Sequence, residues 1–258
     1  MKEKLPALFI GHGSPMNAVL DNSYTRMLGK LGESFERPEA ILVVSAHWQT
    51  RGTYITGADK PRQIYDFYGF PEELYNIKYE PKGSKKYCEI ILQELNDEDI
   101  KSTDSWGLDH AAWAVLLHMY PKADIPVIEM SLNVLGDEEY HYNLGKKLYK
   151  LREKGILIIG SGNIVHNLMK MEQEIDANPY NWAMEFDEYV RVAINNNEYK
   201  KLIDYKKIRK VAQLALPTNE HYLPLLYVEA MQGEDDSVNF IHEGIQNASI
   251  SMRCVRIA

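Results

Sequence analysis

Three short apolar runs in this chain each lead into a histidine, and that repetition constrains the fold more than any other feature. They are Ala7-Leu-Phe-Ile-Gly-His12-Gly-Ser-Pro, Ala40-Ile-Leu-Val-Val-Ser-Ala-His47-Trp and Gly155-Ile-Leu-Ile-Ile-Gly-Ser-Gly-Asn-Ile-Val-His166. Unbroken runs of aliphatic and β-branched residues suit strands buried on both faces of a parallel sheet. Gly-His-Gly-Ser-Pro reads as a tight turn leaving the C-terminal end of its strand. That edge is where open α/β sheets bind ligands. Glycine on both sides of His12 lets the backbone approach whatever the imidazole touches.

Further strands are expected at residues 52–57, 125–132 and 249–257, the last with clear alternation. Helical spacing covers residues 22–31, 84–95, 114–119, 138–153 and 181–195. A Lys/Tyr-rich stretch at 199–211 reads as a more exposed helix. Pro217-Thr-Asn-Glu-His221 opens another, with Thr218 or Asn219 as its N-cap. Residues 61–81, rich in aromatics, Gly and Pro, read as a long loop over the sheet: a lid or binding wall, or a satellite cluster. No repeat or linker divides the chain. The expectation is one α/β domain over residues 1–258, a mostly parallel central sheet flanked by helices, with the active site at the C-terminal ends of the strands.

The length allows one sizeable core. A formal charge of −8 with dispersed acids argues against nucleic acid or an anionic membrane as the main partner. The opening Met1-Lys-Glu is charged, no signal-peptide core follows, and no run spans a bilayer, so a cytoplasmic location is expected. Cys88 and Cys254 stand far apart without CxxC spacing and read as free thiols.

Of eight histidines, five have distinctive surroundings. His12, His47 and His166 follow buried-type strands, His221 lies between two prolines beside Glu220, and His110 sits in an Asp-His-Ala-Ala-Trp turn. His118, His141 and His242 read as structural or solvated. Any one of the five, alone, reads as a hydrogen-bonded turn residue. Three at one edge of a parallel sheet converge on one crevice, and imidazole suits zinc or iron equally. Gly160-Ser-Gly-Asn163 lacks the spacing of a phosphate loop or nucleophile elbow, and no triad order supports Ser14 as a nucleophile.

With these residues in hand, the sequence resembles the class III extradiol ring-cleavage dioxygenases, and within them the 4,5-DOPA extradiol dioxygenase family of plants and bacteria. Gly11-His-Gly-Ser-Pro-Met16, Ser45-Ala-His-Trp48, Asp109-His110 with Trp113, Gly162-Asn-Ile-Val-His-Asn167 and Glu220-His-Tyr-Leu-Pro-Leu225 carry the resemblance, in family order along almost the whole chain. The resemblance implies one mononuclear non-haem divalent metal, iron(II) for activity, with zinc able to fill the site. It implies His12, His47 and His221 as ligands, His166 as acid/base or a fourth ligand under zinc, and His110 as a hydrogen-bonding partner of substrate or oxygen. Glu220 stands beside His221 as an alternative ligand. The partners implied are a small catechol and O2, with the protein a monomer or homodimer.

Two rival readings use the same residues. A zinc hydrolase would activate water with His166 or Glu220, and a non-catalytic metal-binding protein would bind metal without turnover. Arg26, Arg51 and Arg62 are candidate partners for a substrate carboxylate, with surface solvation as the plainer role.

Overall fold

The computed structural model describes residues 4–96 and 99–258; the charged opening Met1-Lys-Glu lies outside the described residues. Its strands are β1 (Ala7–Gly11), β2 (Ala40–Thr50), β3 (Tyr54–Thr56), β4 (Lys101–Thr103), β5 (Val127–Asn133), β6 (Ile156–Gly162), β7 (Val238–His242), β8 (Ile245–Gln246), β9 (Ile250–Ser251) and β10 (Cys254–Ile257). The helices are α1 (Ser23–Gly32), α2 (Glu72–Asn76), α3 (Lys85–Leu95), α4 (His110–Met119), α5 (Glu138–Leu148), α6 (Asn181–Asn195), α7 (Tyr199–Ile203), α8 (Lys210–Ala215) and α9 (Leu223–Glu229). Eight strands form the main sheet in the order β4-β3-β5-β2-β6-β1-β10-β7. Its centre, β5-β2-β6-β1, is parallel, and β10 and β7 add an antiparallel flank.

The strands lack alternation because both faces are covered. In β1, Ala7 and Phe9 enter one core while Leu8 and Ile10 enter the other. In β6, Ile156 and Ile158 divide from Leu157 and Ile159 in the same way. Residues of α3, α5, α6 and α9 cover the first face, and those of α1 and α4 the second. Each fully buried aliphatic side chain contributes about 1.5–3 kcal/mol over leaving it in water. This is one α/β domain with a mostly parallel sheet, as the apolar runs predict.

Several local expectations are corrected. The helix expected over 138–153 ends at Leu148 and tightens into a 3-10 turn, Tyr149–Lys154, closed by left-handed Gly155. The stretch 199–211 breaks into α7, a 3-10 turn (Tyr205–Ile208) and α8: Asp204 leaves helical geometry after α7, and Arg209, at φ 54°, separates the turn from α8. The strand expected over 249–257 divides: β9 pairs with β8 in a separate ribbon, and only β10 joins the main sheet. Between them Arg253 turns to Asp187 and Glu243. Neither Thr218 nor Asn219 caps α9. Tyr222 is its N-cap, the Asn219 side chain reaches Glu138 and the Thr218 hydroxyl reaches Glu220. The long loop carries the single turn α2, and the edge strands β4 and β7 were not expected.

Candidate metal centre and active site

The fold gathers the histidines at one edge of the sheet. His12 directly follows β1, and Gly13 behind it takes φ 63°, which a side chain would strain. His47 lies inside β2 at an irregularity: Val44 pairs with Met130 but the next pair is Gln49 with Leu132, so residues 45–48 bulge opposite Ser131. Such a bulge re-aims a side chain. His110 is the first residue of α4, capped by Asp109, rather than part of a free turn. His166 bridges to Ile250, and its backbone N–H donates to the Ala215 carbonyl.

The segment Gly160-Ser-Gly-Asn163 ties two of these elements together. The Gly162 carbonyl accepts from the His12 N–H, and the Asn163 N–H donates to the His221 carbonyl at 2.8 Å. A Cβ at Gly162 would stand 2.0 Å from that carbonyl oxygen, so only glycine lets the His221 backbone sit there.

His12, His47 and His221 each bring one ring nitrogen to within 4.8 Å of the others. Nε2 of His47 lies 3.2 Å from Nε2 of His12 and 3.2 Å from Nε2 of His221. The opposite side of each ring is held by an oxygen. Nδ1 is 3.0 Å from Ser161 Oγ in His12, 3.0 Å from Asp66 Oδ2 in His47 and 3.0 Å from Glu220 Oε1 in His221. The Ser161 hydroxyl gives its one proton to the Ala111 carbonyl at 2.7 Å, so it accepts from the His12 Nδ1–H. Carboxylate oxygens likewise accept from the other two.

Each ring in its neutral form therefore carries its proton on Nδ1 and points an Nε2 lone pair at the same space. Converging lone pairs repel unless a cation lies among them. A histidine that donates its other N–H to an oxygen is the usual metal-ligating form. The donor set fits a divalent metal.

Burial and the neighbouring imidazoles push His12 and His221 well below the ordinary histidine pKa. Burial alone would do the same to His47, but the hydrogen bond to Asp66 and the charges of Asp109, Asp66 and Glu220 outweigh it and raise its pKa. Burial lowers His166 to about 4. His110 is lowered by burial and by His47, against the pull of Asp66. For Asp66 burial acts upward, yet hydrogen bonds from His110 and His47 hold its carboxyl well below the usual carboxylate range.

His110 and His166 flank this group without joining it. His110 packs 4.2 Å from His47 between ring centroids. His166 groups instead with Glu220 and His221 and stacks on the His221 ring. Ser14 caps the turn Pro15–Ala18 by accepting from the Met16 N–H, a structural role. Trp48 is buried in a stack on Trp106. In the long loop, Tyr65 and Phe67 pack on Trp113, and Phe67 meets His110 edge-on. Arg26 pairs with Asp21 on the surface, and Arg62 donates to the Ser105 carbonyl. Cys88 and Cys254 are both free and buried.

Sequence reasoning missed Asp66, a lone acid among aromatics, and the orienting role of Ser161. It also missed Glu129 and the part that Asp109 plays behind the site. Asp109 accepts from the Ser45 hydroxyl, which in turn accepts from the His47 N–H. Buried Glu129 accepts from the Asp109 N–H and from Trp106.

The family model for the catalytic LigB subunit of aromatic ring-opening dioxygenases matches residues 7–256. The chain belongs to that family. It is an oxidoreductase of the extradiol ring-cleaving class. It is 42% identical to the 4,5-DOPA dioxygenase extradiol of Escherichia coli K12, over 98% of this chain and 95% of that protein. It is 37% identical to the Beta vulgaris protein of the same name, over 91% and 89%. A crystal structure of an uncharacterized Escherichia coli K12 protein superposes with TM-score 0.86 at 39% identity, covering 98% of this chain and 100% of that one. Among the described residues no helix is long and apolar enough to cross a membrane.

Proposed function

We propose that this protein cleaves the ring of a catechol bearing a DOPA-like side chain, inserting both atoms of O2 to give a muconic semialdehyde-type product. The observation that carries the reading is the convergence of three Nε2 atoms whose Nδ1 positions are all engaged by oxygen. His12, His47 and His221 would hold one iron(II), with His166 able to act as a fourth ligand under zinc. Glu220 serves as the acceptor behind His221. A bound iron(II) supplies a redox path from the catechol ring to dioxygen, which zinc, with no second oxidation state, lacks.

The protein's part is orientation and proton transfer. Burial keeps His166 neutral at physiological pH, and from its place against His221 it would accept a proton from a catechol hydroxyl. His110 donates its Nδ1–H to Asp66, which leaves Nε2 for a hydrogen bond with substrate. Phe67, edge-on to His110, provides an apolar side for a planar ring. The ring itself is the reductant, so no external electron donor enters. The proton on His166 is returned as the ring opens.

Residues 1–258 act as one catalytic domain. Two free buried thiols support work in a reducing, cytoplasmic setting. Membership in a ring-opening dioxygenase family favours this reading over a zinc hydrolase or a non-catalytic metal binder. The test is oxygen uptake by protein reconstituted anaerobically with iron(II) and given DOPA or a simpler catechol, beside a zinc-loaded sample. Uptake with a yellow product only under iron is expected. No uptake across a catechol panel, despite stoichiometric iron, overturns the reading.

A further inference from the structure

The loop between β3 and α3 sends one carboxylate into the histidine cluster. Asp66 Oδ2 lies 2.8 Å from Nδ1 of His110 and 3.0 Å from Nδ1 of His47, and Oδ1 accepts from the His110 backbone N–H at 3.0 Å. One oxygen thus receives two imidazole N–H groups from two different elements, the bulge of β2 and the first turn of α4. A second oxygen fixes the carboxylate to the backbone of that turn.

The loop is not loose at this point. The Trp113 indole donates to the Ile64 carbonyl at 2.9 Å, and the Ile64 N–H donates to the Leu108 carbonyl. At its base the Gln63 side chain donates to Ile77 and accepts from the Tyr79 N–H. Asp66 therefore reaches the site from a docked segment, with its rotamer set by three contacts.

We propose that Asp66 is a positioning residue shared by the metal-holding His47 and the substrate-facing His110, fixing both rings in the Nδ1–H tautomer so that both Nε2 atoms face one space. This rests on the function proposed above for the role of His110, and on the donor geometry alone for His47. Removing the carboxylate leaves two ring N–H groups and the His110 backbone N–H without that partner, and frees both rings to rotate or change tautomer. Two consequences follow from one residue: weaker metal binding through His47, and slower turnover at saturating metal through His110.

The variants are Asp66→Asn, close in shape, and Asp66→Ala, with Gln63→Ala as the control that loosens the loop base without touching the histidines. Cobalt(II) and zinc(II) titrations measure affinity. Loss of the outer acceptor is expected to weaken it about 10–100-fold, the effect usual for such partners. 15N spectra of the metal-loaded protein should lose the wild-type tautomer signals of His47 and His110. With iron saturating, kcat should fall at least about tenfold while KM changes less, as for a group acting on the reacting ring.

Gln63→Ala should match wild type in all three readouts. Wild-type metal affinity in Asp66→Ala, or wild-type kcat at saturating iron, overturns the shared role; Asp66→Asn, which keeps one acceptor oxygen, should fall between Asp66→Ala and wild type. Losses of the same size in Gln63→Ala overturn it too, since loop docking would then be the cause. Should the wild-type protein itself consume no oxygen, the titrations and 15N signals still judge the His47 half independently.

Discussion

The imidazole of His166 lies flat on that of His221, with ring centroids 3.5 Å apart and planes 11° apart. Stacked in this way, His166 contacts a proposed metal-holding ring through its face, outside the converging Nε2 group of His12, His47 and His221. The arrangement separates the tasks of the two residues. Replacing His166 by Ala should leave iron(II) or cobalt(II) affinity within a few-fold of wild type while lowering kcat by about 10²–10⁴, the usual contribution of a general acid–base group. Metal titration and oxygen uptake on the same preparation check this; a loss of affinity matching the loss of rate would make His166 a ligand instead.

Ser161 is legible in the sequence only as an ambiguous small residue, yet it joins three elements. It accepts from His12 Nδ1 and donates to the Ala111 carbonyl at the start of α4. Ser161→Ala should cost about 1–3 kcal/mol of stability, because the buried His12 Nδ1–H loses its acceptor. Metal affinity should also fall about 10–100-fold as His12 loses its orienting acceptor. Chemical denaturation and cobalt titration read the two effects; unchanged affinity would detach Ser161 from the metal-holding group.

Three of the five histidines, His12, His47 and His166, could be found from sequence because their positions follow from strand physics, whereas His110 and His221 stand at helix starts and were marked by their local motifs. Runs buried on both faces must be apolar throughout, so their ends are sharp, and polar residues at those ends share one edge of the sheet. The edge strands β4 and β7 carry no such signal, being short and partly exposed. Arg209 broke an expected helix by adopting a positive φ that its residue type does not announce. Asp66 was invisible for a different reason. Its partners are 19 and 44 residues away from it along the chain, and nothing local distinguishes it from a solvated loop acid.

Gly162 should tolerate no side chain. Its missing Cβ is the space taken by the His221 carbonyl oxygen, which the Asn163 N–H holds in place. Gly162→Ala must push the start of the His221 segment away from β6, so a folded variant is expected to lose metal affinity more than stability. Comparing cobalt titration with thermal unfolding checks the order of the two losses. Wild-type binding in a folded Gly162→Ala protein would remove the close approach as a determinant of His221 placement.

Glu229 closes α9 fully buried, with Oε1 unpartnered among the described residues, and burial raises its pKa to about 8 from an ordinary 4.5. A carboxyl raised in the folded state binds its proton more tightly there than when unfolded. Its contribution is fully present below about pH 4.5 and is lost as pH rises to about 8, at roughly 1.4 kcal/mol per pH unit. Glutamine keeps the shape and cannot ionise. Glu229→Gln should therefore flatten the decline in stability between pH 5 and 8 and exceed wild type at the upper end. Urea unfolding at a series of pH values reads this directly, with oxygen uptake unaffected because Glu229 touches none of the site histidines. Parallel stability curves for the two proteins across that range would mean that Glu229 finds compensation in its ionised form.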